Sequence, residues 1–225
     1  MTYKIIALVP MRHQSMRVPG KNYRDLAGKP LFYHILNALL DVSELDGILV
    51  DTDSPVILEL IGKDYPDVLT IFRPEDLRGD MVSMNEILLH DMGEIDSRFY
   101  LQTHSTNPLL RSETIKDAIQ TFFQNIPEYD SLFGVTRLQT RLFDQLGRPI
   151  NHNPQVLLRT QDLPPVYEEN SCIYIFSKQT LLSRRNRLGE RPLMYEIPAI
   201  EAWDIDEELD FTVADMLFRQ LYGQS

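Results

Sequence analysis

The alternation of short apolar segments with segments of helical periodicity limits this chain to a small set of folds. The first apolar segment, Lys4 to Val9, is rich in β-branched residues and is closed by Pro10. A continuous apolar run of this kind predicts a strand that is buried on both faces of a parallel sheet. Residues 31–40 then place leucine, isoleucine and tyrosine at helical spacing. Such strand–helix pairs are typical of βαβ units with a mostly parallel sheet.

The same alternation continues along most of the chain. Strands are predicted at residues 47–50, 68–72, 99–101, 131–136, 171–176 and 193–197. Helices are predicted to begin after Ser54, after Ser83 and with Ser112 as a cap, and to occupy residues 178–186 and 207–222. Residues 138–170 break the pattern, because they are rich in Pro and Asn and carry turn signals. We therefore predict one three-layer α/β domain over residues 1–225, from which residues 138–170 protrude as a small subregion with a hairpin.

Composition excludes several classes of protein. The chain has 225 residues, of which 43% are hydrophobic and 24% charged, as in ordinary globular domains. Its net charge of −11 argues against a general nucleic-acid binder or a binder of anionic membranes. No segment approaches the ~20 apolar residues of a membrane span, so we expect a cytoplasmic protein. The single cysteine, Cys172, lies in an apolar segment and is expected to be a buried hydrophobic residue.

The loop after the first predicted strand is the first candidate for a binding site. Residues 1–24 contain no carboxylate, and they include Arg12, Arg17 and Lys21. Open α/β sheets bind their ligands beyond the carboxyl ends of the strands, and Arg and Lys side chains suit a triphosphate. Neither a Walker motif nor a dinucleotide-binding motif is present. On charge alone, a solvated surface loop is the alternative.

An acidic segment lies near the other end of the chain, where residues 201–210 carry six carboxylates. Asp204 and Asp206 are separated by one residue, so an extended backbone would place both carboxylates on one face. Such a pair suits a divalent cation of the Mg²⁺ type, which takes few protein ligands and several waters. The alternative interpretation is that Asp206 caps the last helix.

The N-terminal loop carries a long motif. It consists of Val9-Pro10, Arg12, Ser15, Arg17 and Pro19-Gly20-Lys21-Asn22, followed by Leu26-Ala27-Gly28-Lys29-Pro30-Leu31. This pattern resembles the nucleotide-binding signature of the acylneuraminate, or sialic-acid-type, cytidylyltransferases, which are CMP-sugar synthetases. Residues 50–53, 72–83, 161–174 and 204–210 are similar, in order, to further patterns of that family. Several residues depart from it: Met16 replaces Lys, Met11 replaces Ala, His13-Gln14 replaces small residues, Asp51 replaces Ser, and Ser171 stands where Gly is usual.

The resemblance implies a Rossmann-like nucleotidyltransferase fold and a defined reaction. The enzyme would transfer CMP from CTP to the anomeric hydroxyl of an acidic 2-keto sugar, such as an N-acylneuraminate, and release pyrophosphate. Mg²⁺ would be the cofactor, with Asp204 and Asp206 as its ligands. A homodimer is also implied, in which residues 138–170 form the dimerisation subregion. The expected partners are therefore CTP, the acidic sugar and a second copy of the chain, without nucleic acid or membrane.

The resemblance also assigns residues to the two substrates. Arg12 and Lys21 are the predicted catalytic cations. The nucleotide is predicted to contact Met11, Arg12, Ser15, Arg17, Lys21, Asn22, Arg73, Asp80 and Ser83. For Ser83, a plain helix N-cap is an equally good interpretation. The sugar is predicted to contact Gln102, His104, Arg159, Gln161 and Tyr167. His104 occupies a position where the family often has Gln, and an ordinary polar residue at a strand end is the alternative there.

Two further hypotheses stay open at this point. The first is a cytidylyltransferase of the same class that activates 3-deoxy-manno-octulosonate. The second is a nucleotide- or sugar-binding protein with weakened catalysis. The departures at Met16 and His104 suggest this hypothesis. Each charge-assisted hydrogen bond contributes roughly 1.5–3 kcal/mol, so the missing lysine could reduce turnover.

Overall fold

The structure is a computed structural model that describes residues 3–223, with nine strands and six α-helices in that range. The strands are β1 (Tyr3–Met11), β2 (Asp25–Leu26), β3 (Lys29–Pro30), β4 (Gly47–Thr52), β5 (Leu69–Phe72), β6 (Ser97–Gln102), β7 (Ser131–Leu138), β8 (Val166–Ser177) and β9 (Pro192–Glu196). The helices are α1 (Leu31–Leu40), α2 (Pro55–Asp64), α3 (Met84–Glu94), α4 (Ser112–Gln124), α5 (Lys178–Arg184) and α6 (Glu208–Tyr222).

Seven of the strands form one sheet in the order β5-β4-β1-β6-β8-β7-β9, and β2 pairs with β3 in a separate ribbon. Strand β8 runs antiparallel to both of its neighbours, and the other pairs of the large sheet are parallel. Helices pack on both faces of this sheet. The prediction of a three-layer, mostly parallel α/β fold is therefore confirmed, and the antiparallel strand is an addition to it.

Strand β1 is central because its side chains alternate between two apolar cores. Ile5, Ala7 and Val9 pack with α1 and α4 on one face of the sheet. Ile6 and Leu8 pack with α3 and α5 on the other face. All five residues are fully buried. Burial of an aliphatic side chain contributes roughly 1.5–3 kcal/mol, so a strand that is apolar on both faces is stable only between two helical layers.

Side-chain caps set the starts of several helices. Ser54 accepts a hydrogen bond from Ile57 N at the start of α2, as predicted. The predicted cap at Ser112 is wrong by one residue, because Arg111 is the N-cap of α4 and Ser112 is the first residue of the helix. Helix N-caps have extended backbone torsions, and Arg111 has them (φ −96°, ψ 153°) although its side chain does not bind the helix end.

Strands β7 and β8 continue beyond the body of the sheet as a two-stranded ribbon that ends with the pair Leu138–Val166. The register of this ribbon shifts at Gly134, where an added Cβ would lie 2.6 Å from Asn170 Oδ1. Ser171, which follows Asn170 in the chain, has a φ of 58°, a conformation that favours Gly. Such a bulge increases the local twist and directs the ribbon away from the sheet.

Residues 139–165 join β7 to β8 and form the protruding segment. They contain one isolated bridge, between Phe143 and Pro149, and a 3-10 turn at Thr160–Asp162. The buried Asn151 holds the segment together, because its Nδ2 donates to the carbonyls of Thr140 and Pro164. Between residues 3 and 223, no helix combines the length and the apolar character that a membrane span requires.

Candidate active site

Three neighbouring parallel strands end at one edge of the sheet, and a cleft of about 480 Å³ lies beyond them. The register pairs Met11 at the end of β1 with Thr52 at the end of β4, and Leu8 of β1 with Gln102 at the end of β6. Most of the predicted nucleotide-binding residues and one predicted sugar-binding residue line this cleft: Met11, Arg12, Ser15, Arg17, Lys21, Asn22, Arg73, Asp80 and His104.

Polar contacts on two sides fix the N-terminal loop. Asn22 Nδ2 donates to Arg12 O at 2.7 Å, and Asn22 Oδ1 accepts from Ser105 Oγ at 2.7 Å. The backbone N–H of His13 donates to the Asp53 carboxylate at 2.6 Å. Asn22 and Ser105 are both buried, where an unpaired polar group would be costly. The Asn22 amide therefore joins the loop to the segment after β6 and shapes the wall of the cleft.

The basic loop and the acidic C-terminal segment meet beside the cleft. Arg17 Nη2 lies 2.6 Å from Asp206 Oδ1, and Lys21 Nζ donates to the carbonyl of Ile205. The N–H of Ile205 in turn donates to Thr106 O at 3.0 Å, which ties the acidic segment to the loop after β6. Arg17 and Asp206 are 189 positions apart in the sequence. The fold thus brings the two charged segments to one site.

The charges at this site are incompletely compensated. Burial lowers the pKa of the Lys21 ammonium, and the carboxylates of Asp204 and Asp206 act in the opposite direction. Partial desolvation raises the pKa of the Asp204 carboxyl, a hydrogen bond from Thr106 lowers it, and the charge of Asp206 adds to the increase. Such shifts mean that the charged forms lack enough partners. A bound anion at Lys21 and a bound cation at Asp204 would supply them.

Asp204 and Asp206 fit the requirements of a divalent cation. The alternative interpretation of Asp206 as the N-cap of α6 is wrong, because Glu207 occupies that position. The Asp210 carboxylate accepts the N–H groups of Asp206 at 3.0 Å and Glu207 at 2.8 Å. The Asp206 side chain is therefore free of the helix end, close enough to Asp204 for their charges to interact. Carboxylate oxygens are the ligands that Mg²⁺ prefers.

The outer rim of the cleft carries an ion pair that a ligand can replace. Arg12 Nη1 lies 2.9 Å from Asp80 Oδ1, and both side chains are largely exposed. An exposed pair of this kind contributes roughly 0–1 kcal/mol, so a phosphate can compete with Asp80 for the guanidinium. Met16, which stands where the resemblance has Lys, also lines the cleft but is 89% exposed and carries no charge. The cations of this loop that line the cleft are thus Arg12, Arg17 and Lys21.

Arg73 lines the inner wall and is held from behind. Its Nε donates to Asp51 Oδ2 at 3.0 Å and its Nη2 donates to Asp51 O at 3.2 Å, with both residues fully buried. Asp91 of α3 lies beside Asp51. Burial raises the pKa of the Asp91 carboxyl, and the charge of Asp51 and a hydrogen bond between the two carboxyl groups raise it further. Asp91 is therefore protonated at neutral pH, and the three residues together are neutral.

His90 completes a group with Asp51 and Asp91 whose potential ligand atoms lie within 4.8 Å of one another. The Asp51 carboxylate is already paired with the Arg73 guanidinium at 3.0 Å, and both side chains are buried. We therefore interpret these acids as the support of Arg73 and assign no metal to them.

Other predicted site residues lie outside the cleft lining. Ser83 is the N-cap of α3 and forms a capping box with Glu86, so the interpretation as a cap is confirmed. Arg159 forms a two-pronged contact with Asp162, at 2.7 and 3.0 Å, on the protruding segment. Gln161 and Tyr167 are exposed on the same part of the chain. The remaining predicted residues outside the lining are Gln102, Asp204 and Asp206.

His104 and Gln102 belong to a polar chain that ends at Arg187. Gln102 Nε2 lies 2.8 Å from His104 Nε2, and Gln102 Oε1 accepts from Arg187 Nη1 at 2.5 Å. Burial and, to a smaller extent, the positive charges of Arg187 and Lys21 lower the pKa of His104 to about 3. His104 is therefore a neutral imidazole on the cleft wall at physiological pH.

Sequence analysis missed the supporting roles of Asp91 and Arg187. The sequence contained a signal for the role of Asp91, because this residue shares the buried face of α3 with Ile87 and Leu88. An acid on an apolar helix face requires a polar or charged partner. Arg187 carried none, since it follows Arg184 and Arg185 in a stretch that reads as a solvated surface loop.

The chain that forms this cleft matches the model of one protein family over most of its length. The model described as "Cytidylyltransferase" matches residues 6–217. The chain belongs to the cytidylyltransferase family. The resemblance that began with the N-terminal motif is thereby confirmed, and the matched range includes the basic loop, the cleft wall and the acidic pair.

Curated relatives carry the names of several acidic-sugar activating enzymes. The CMP-N,N'-diacetyllegionaminic acid synthase of Legionella pneumophila is 29% identical over 95% of this chain and 96% of its own length. The pseudaminic acid cytidylyltransferase of Campylobacter jejuni is 25% identical, with 96% and 97% covered. An N-acylneuraminate cytidylyltransferase of Streptococcus agalactiae is 26% identical over 92% of this chain and 52% of its own. This cytidylyltransferase chain thus spans about half the length of the acylneuraminate relatives.

Solved structures of cytidylyltransferases share the fold. The CMP:2-keto-3-deoxy-manno-octonic acid synthetase complexed with CTP superposes with a TM-score of 0.71, at 17% identity, over 96% of this chain and 99% of that one. A cytidylyltransferase from Leptospira borgpetersenii gives 0.66 at 14% identity, over 99% and 90%. The predicted Rossmann-like nucleotidyltransferase fold is confirmed.

Proposed function

We propose that this cytidylyltransferase transfers CMP from CTP to the anomeric hydroxyl of an acidic 2-keto sugar and releases pyrophosphate. The observation that carries the proposal is the meeting of the basic loop with the acidic pair, through Arg17–Asp206 and Lys21–Ile205. A triphosphate needs cations and its divalent ion needs carboxylates, and this arrangement offers both. The names of the relatives, which refer to nonulosonic acids, support the class of acceptor.

The cleft has the size and chemistry that a nucleotide requires. Its volume of about 480 Å³ is in the range of small-ligand sites. Arg73 would present fixed N–H donors to the base, because Asp51 holds its guanidinium from behind. Rigid buried donors reject a base that cannot pair with them, since the unpaired groups would remain desolvated.

The reaction requires little covalent chemistry from the protein. The acceptor hydroxyl oxygen attacks the α-phosphorus, the bond from this phosphorus to the bridging oxygen of the β-phosphate breaks, and pyrophosphate leaves with that electron pair. The hydroxyl proton is released to solvent. Arg12 and Lys21 would stabilise the negative charge that develops on the leaving group. Lys21 suits this role because burial leaves its ammonium in need of an anionic partner.

A divalent cation such as Mg²⁺ would be held by Asp204 and Asp206 and would neutralise phosphate charge when bound. The contribution of the chain is to keep the two carboxylates together on one short segment. Asp210 does so from the first turn of α6, because its carboxylate binds the N–H groups of Asp206 and Glu207.

We also propose that the functional form is a homodimer that pairs through residues 139–165. Apolar side chains in this segment are unusually exposed, with Leu157 at 90%. Exposed apolar groups concentrated on a protrusion are typical of an interface. Arg159, Gln161 and Tyr167, which lie away from the cleft of their own chain, would then belong to the interface region.

A pyrophosphate-release assay tests the reaction. We expect release when CTP is combined with an acidic 2-keto sugar from a panel of N-acylneuraminic, legionaminic and pseudaminic acids, and none with either substrate alone. Lys21→Met should reduce turnover by roughly 100-fold or more, because it removes a charge from the leaving-group site. Lys63→Met is the matched control, since Lys63 is exposed in the last turn of α2 and outside the cleft lining.

Other outcomes would change the assignment. Tight CTP binding in calorimetry, with no release across the panel, would identify a binding protein with weakened catalysis and contradict the proposal. Release with 3-deoxy-manno-octulosonate alone would assign that sugar as the acceptor. Equal release with other nucleoside triphosphates would contradict the role of the Arg73 wall in base selection.

A further inference from the structure

We propose that Arg187, acting through Gln102, holds His104 as a neutral hydrogen-bond donor that receives the carboxylate of the acidic acceptor. The inference rests on the transfer reaction proposed above, because it gives the charged group of the acceptor a place in that site. Arg187 is then a positioning residue, and His104 is a specificity-determining residue on the cleft wall.

The hydrogen bonds fix the orientation of each group in turn. A guanidinium carries only N–H donors, so the oxygen of Gln102 must face Arg187, at 2.5 Å from Nη1. The Gln102 nitrogen then faces His104 Nε2 at 2.8 Å, and it also donates to Thr103 O at 3.2 Å. Because Gln102 donates, His104 Nε2 must accept. The proton of the neutral ring is therefore on Nδ1.

Arg187 is itself fixed in place. Its guanidinium carbon lies 3.5 Å from the centroid of the Tyr174 ring, and the Tyr174 hydroxyl donates to the Glu169 carboxylate. In the described part of the chain, no carboxylate oxygen lies within 4.0 Å of a guanidinium nitrogen of Arg187. Its positive charge is consequently not cancelled by a direct ion pair, and it acts on His104.

The surroundings of His104 favour an anionic oxygen as its partner. Lys21 and Arg187 both exert positive charge on the ring, and the ring lines the cleft. A neutral N–H donor between two cations suits a carboxylate, which offers acceptor sites on two oxygens.

The nucleotide phosphates also carry anionic oxygens, so the position of His104 must decide whether it binds the phosphates or the acceptor carboxylate. Arg12 and Arg17 belong to the loop after β1, whereas His104 follows β6, and Arg187 reaches it from the loop before β9. The sheet order places β8, β7 and β9 beyond β6, on the side away from β4 and β5. His104 therefore faces the part of the site that remains for the acceptor.

The tautomer of His104 can be measured without any substrate. Nitrogen NMR of the ligand-free protein, with the His104 signals assigned by their loss in His104→Gln, should show the proton on Nδ1 at pH 7. A ring with its proton on Nε2, or a doubly protonated ring, would overturn the proposal. This outcome is independent of whether the transfer reaction has been identified correctly.

Kinetics test the link to the acceptor. Arg187→Met should raise the KM for the acceptor by about tenfold or more and change the KM for CTP by less than about twofold, because one charged positioning contact is lost. The same variant should show a mixture of His104 tautomers. Arg185→Met removes the same charge from an exposed position in the same loop and should have neither effect.

The remaining outcomes are also decisive. A rise in the KM for CTP that matches or exceeds that for the acceptor would assign His104 to the phosphates and overturn the proposal. Equal effects of Arg185→Met and Arg187→Met on the KM for the acceptor would indicate a general effect of charge. That outcome would also overturn the proposal. If Arg187→Met does not fold, the tautomer of the unaltered protein decides. If the unaltered protein transfers no CMP, the proposed reaction is wrong. The measured tautomer of His104 then still tests the hydrogen-bonded chain Arg187–Gln102–His104.

Discussion

Asp51 and Asp91 are neighbouring buried acids, and Arg73 forms an ion pair with Asp51. Two ionised carboxylates in contact would repel each other strongly away from water, so the pair retains a proton. Burial and the charge of Asp51 place that proton on Asp91, whose pKa is raised to about 9. Asp51 stands where the family has Ser. The protonated partner on α3 is what allows this additional acid to hold Arg73 at the cleft.

The stability of the protein should therefore depend on pH through Asp91. The pKa of its carboxyl is raised from 3.8 to about 9 on folding. Between these values the folded chain holds a proton that the unfolded chain has released, so the free energy of unfolding falls as pH rises through this range. Asp91→Asn should remove this part of the decline, since Asn is neutral at every pH and its amide can donate to Asp51. Urea unfolding between pH 5 and 9 measures the effect.

The control for this measurement is Asp67→Asn, which neutralises an exposed acid. The difference in unfolding free energy between the unaltered protein and Asp67→Asn should stay nearly constant across this pH range. Parallel curves for the unaltered protein and Asp91→Asn would show that Asp91 is ionised in the folded chain and that the cluster is not neutral.

Individual site residues were predictable from the sequence where a motif is local. Arg12, Arg17 and Lys21 lie within ten residues after β1, so their common location follows from the strand end alone. Arg187 was not predictable in this way. Its contact with Gln102 depends on the antiparallel β8, which puts Tyr174 opposite Gln102 and so supplies the ring under the guanidinium.

Among the elements, the short segment before α6 combines a structural role with the proposed role in cation binding. Asp210 occupies the third position of the helix and binds the backbone of Asp206 and Glu207. A carboxylate in the first turn also interacts favourably with the helix dipole. Because Asp210 satisfies this helix end, Asp206 can direct its own carboxylate to Arg17.

Asp206→Asn should therefore reduce the apparent affinity for the divalent cation while leaving helix α6 intact. We expect the Mg²⁺ concentration for half-maximal turnover to rise by about tenfold or more, as one of two anionic ligands is lost. The measurement is pyrophosphate release as a function of Mg²⁺ at saturating substrates. Glu207→Gln is the control, because the amide oxygen preserves the cap and the side chain is exposed. Unchanged Mg²⁺ dependence in Asp206→Asn would show that the cation binds elsewhere.

The strands were predicted better than their boundaries. The predicted strand at 171–176 is real but too short, since β8 begins at Val166. Residues 166–170 pair with β7 in a ribbon outside the sheet body and are mostly exposed, so they carry no apolar pattern. The N-cap of α4 was predicted one residue late, at Ser112, and α6 was predicted to begin one residue early, at Glu207. Several neighbouring polar residues can serve as a cap in each case, and the sequence does not rank them.

For the whole molecule, the protruding segment is the feature on which the proposed homodimer depends. Leu146, Ile150, Val156 and Leu157 are exposed along residues 139–165. The segment is ordered by its own hydrogen bonds through Asn151, so it can present a preformed surface.

Leu157→Asp should shift the protein from dimer to monomer, because a charge in an apolar interface would be desolvated without a partner. Sedimentation velocity at micromolar concentration measures the assembly state. Leu209→Asp is the control, since Leu209 is 71% exposed on α6 and far along the chain from the protrusion. An unaltered protein that sediments as a monomer would contradict the homodimer.

The general architecture was predictable because strand–helix alternation with buried strands has few solutions. The position of β8 was not, since an antiparallel strand between parallel neighbours leaves the same apolar run in the sequence as a parallel one.

The bridge between Arg17 and Asp206 has a consequence for synthesis of the protein. During translation the loop after β1 emerges first, and its partner emerges almost two hundred residues later. A nascent chain that ends before position 206 lacks the carboxylate that pairs with Arg17. The proposed nucleotide site therefore stays incomplete until residue 206 has been synthesised.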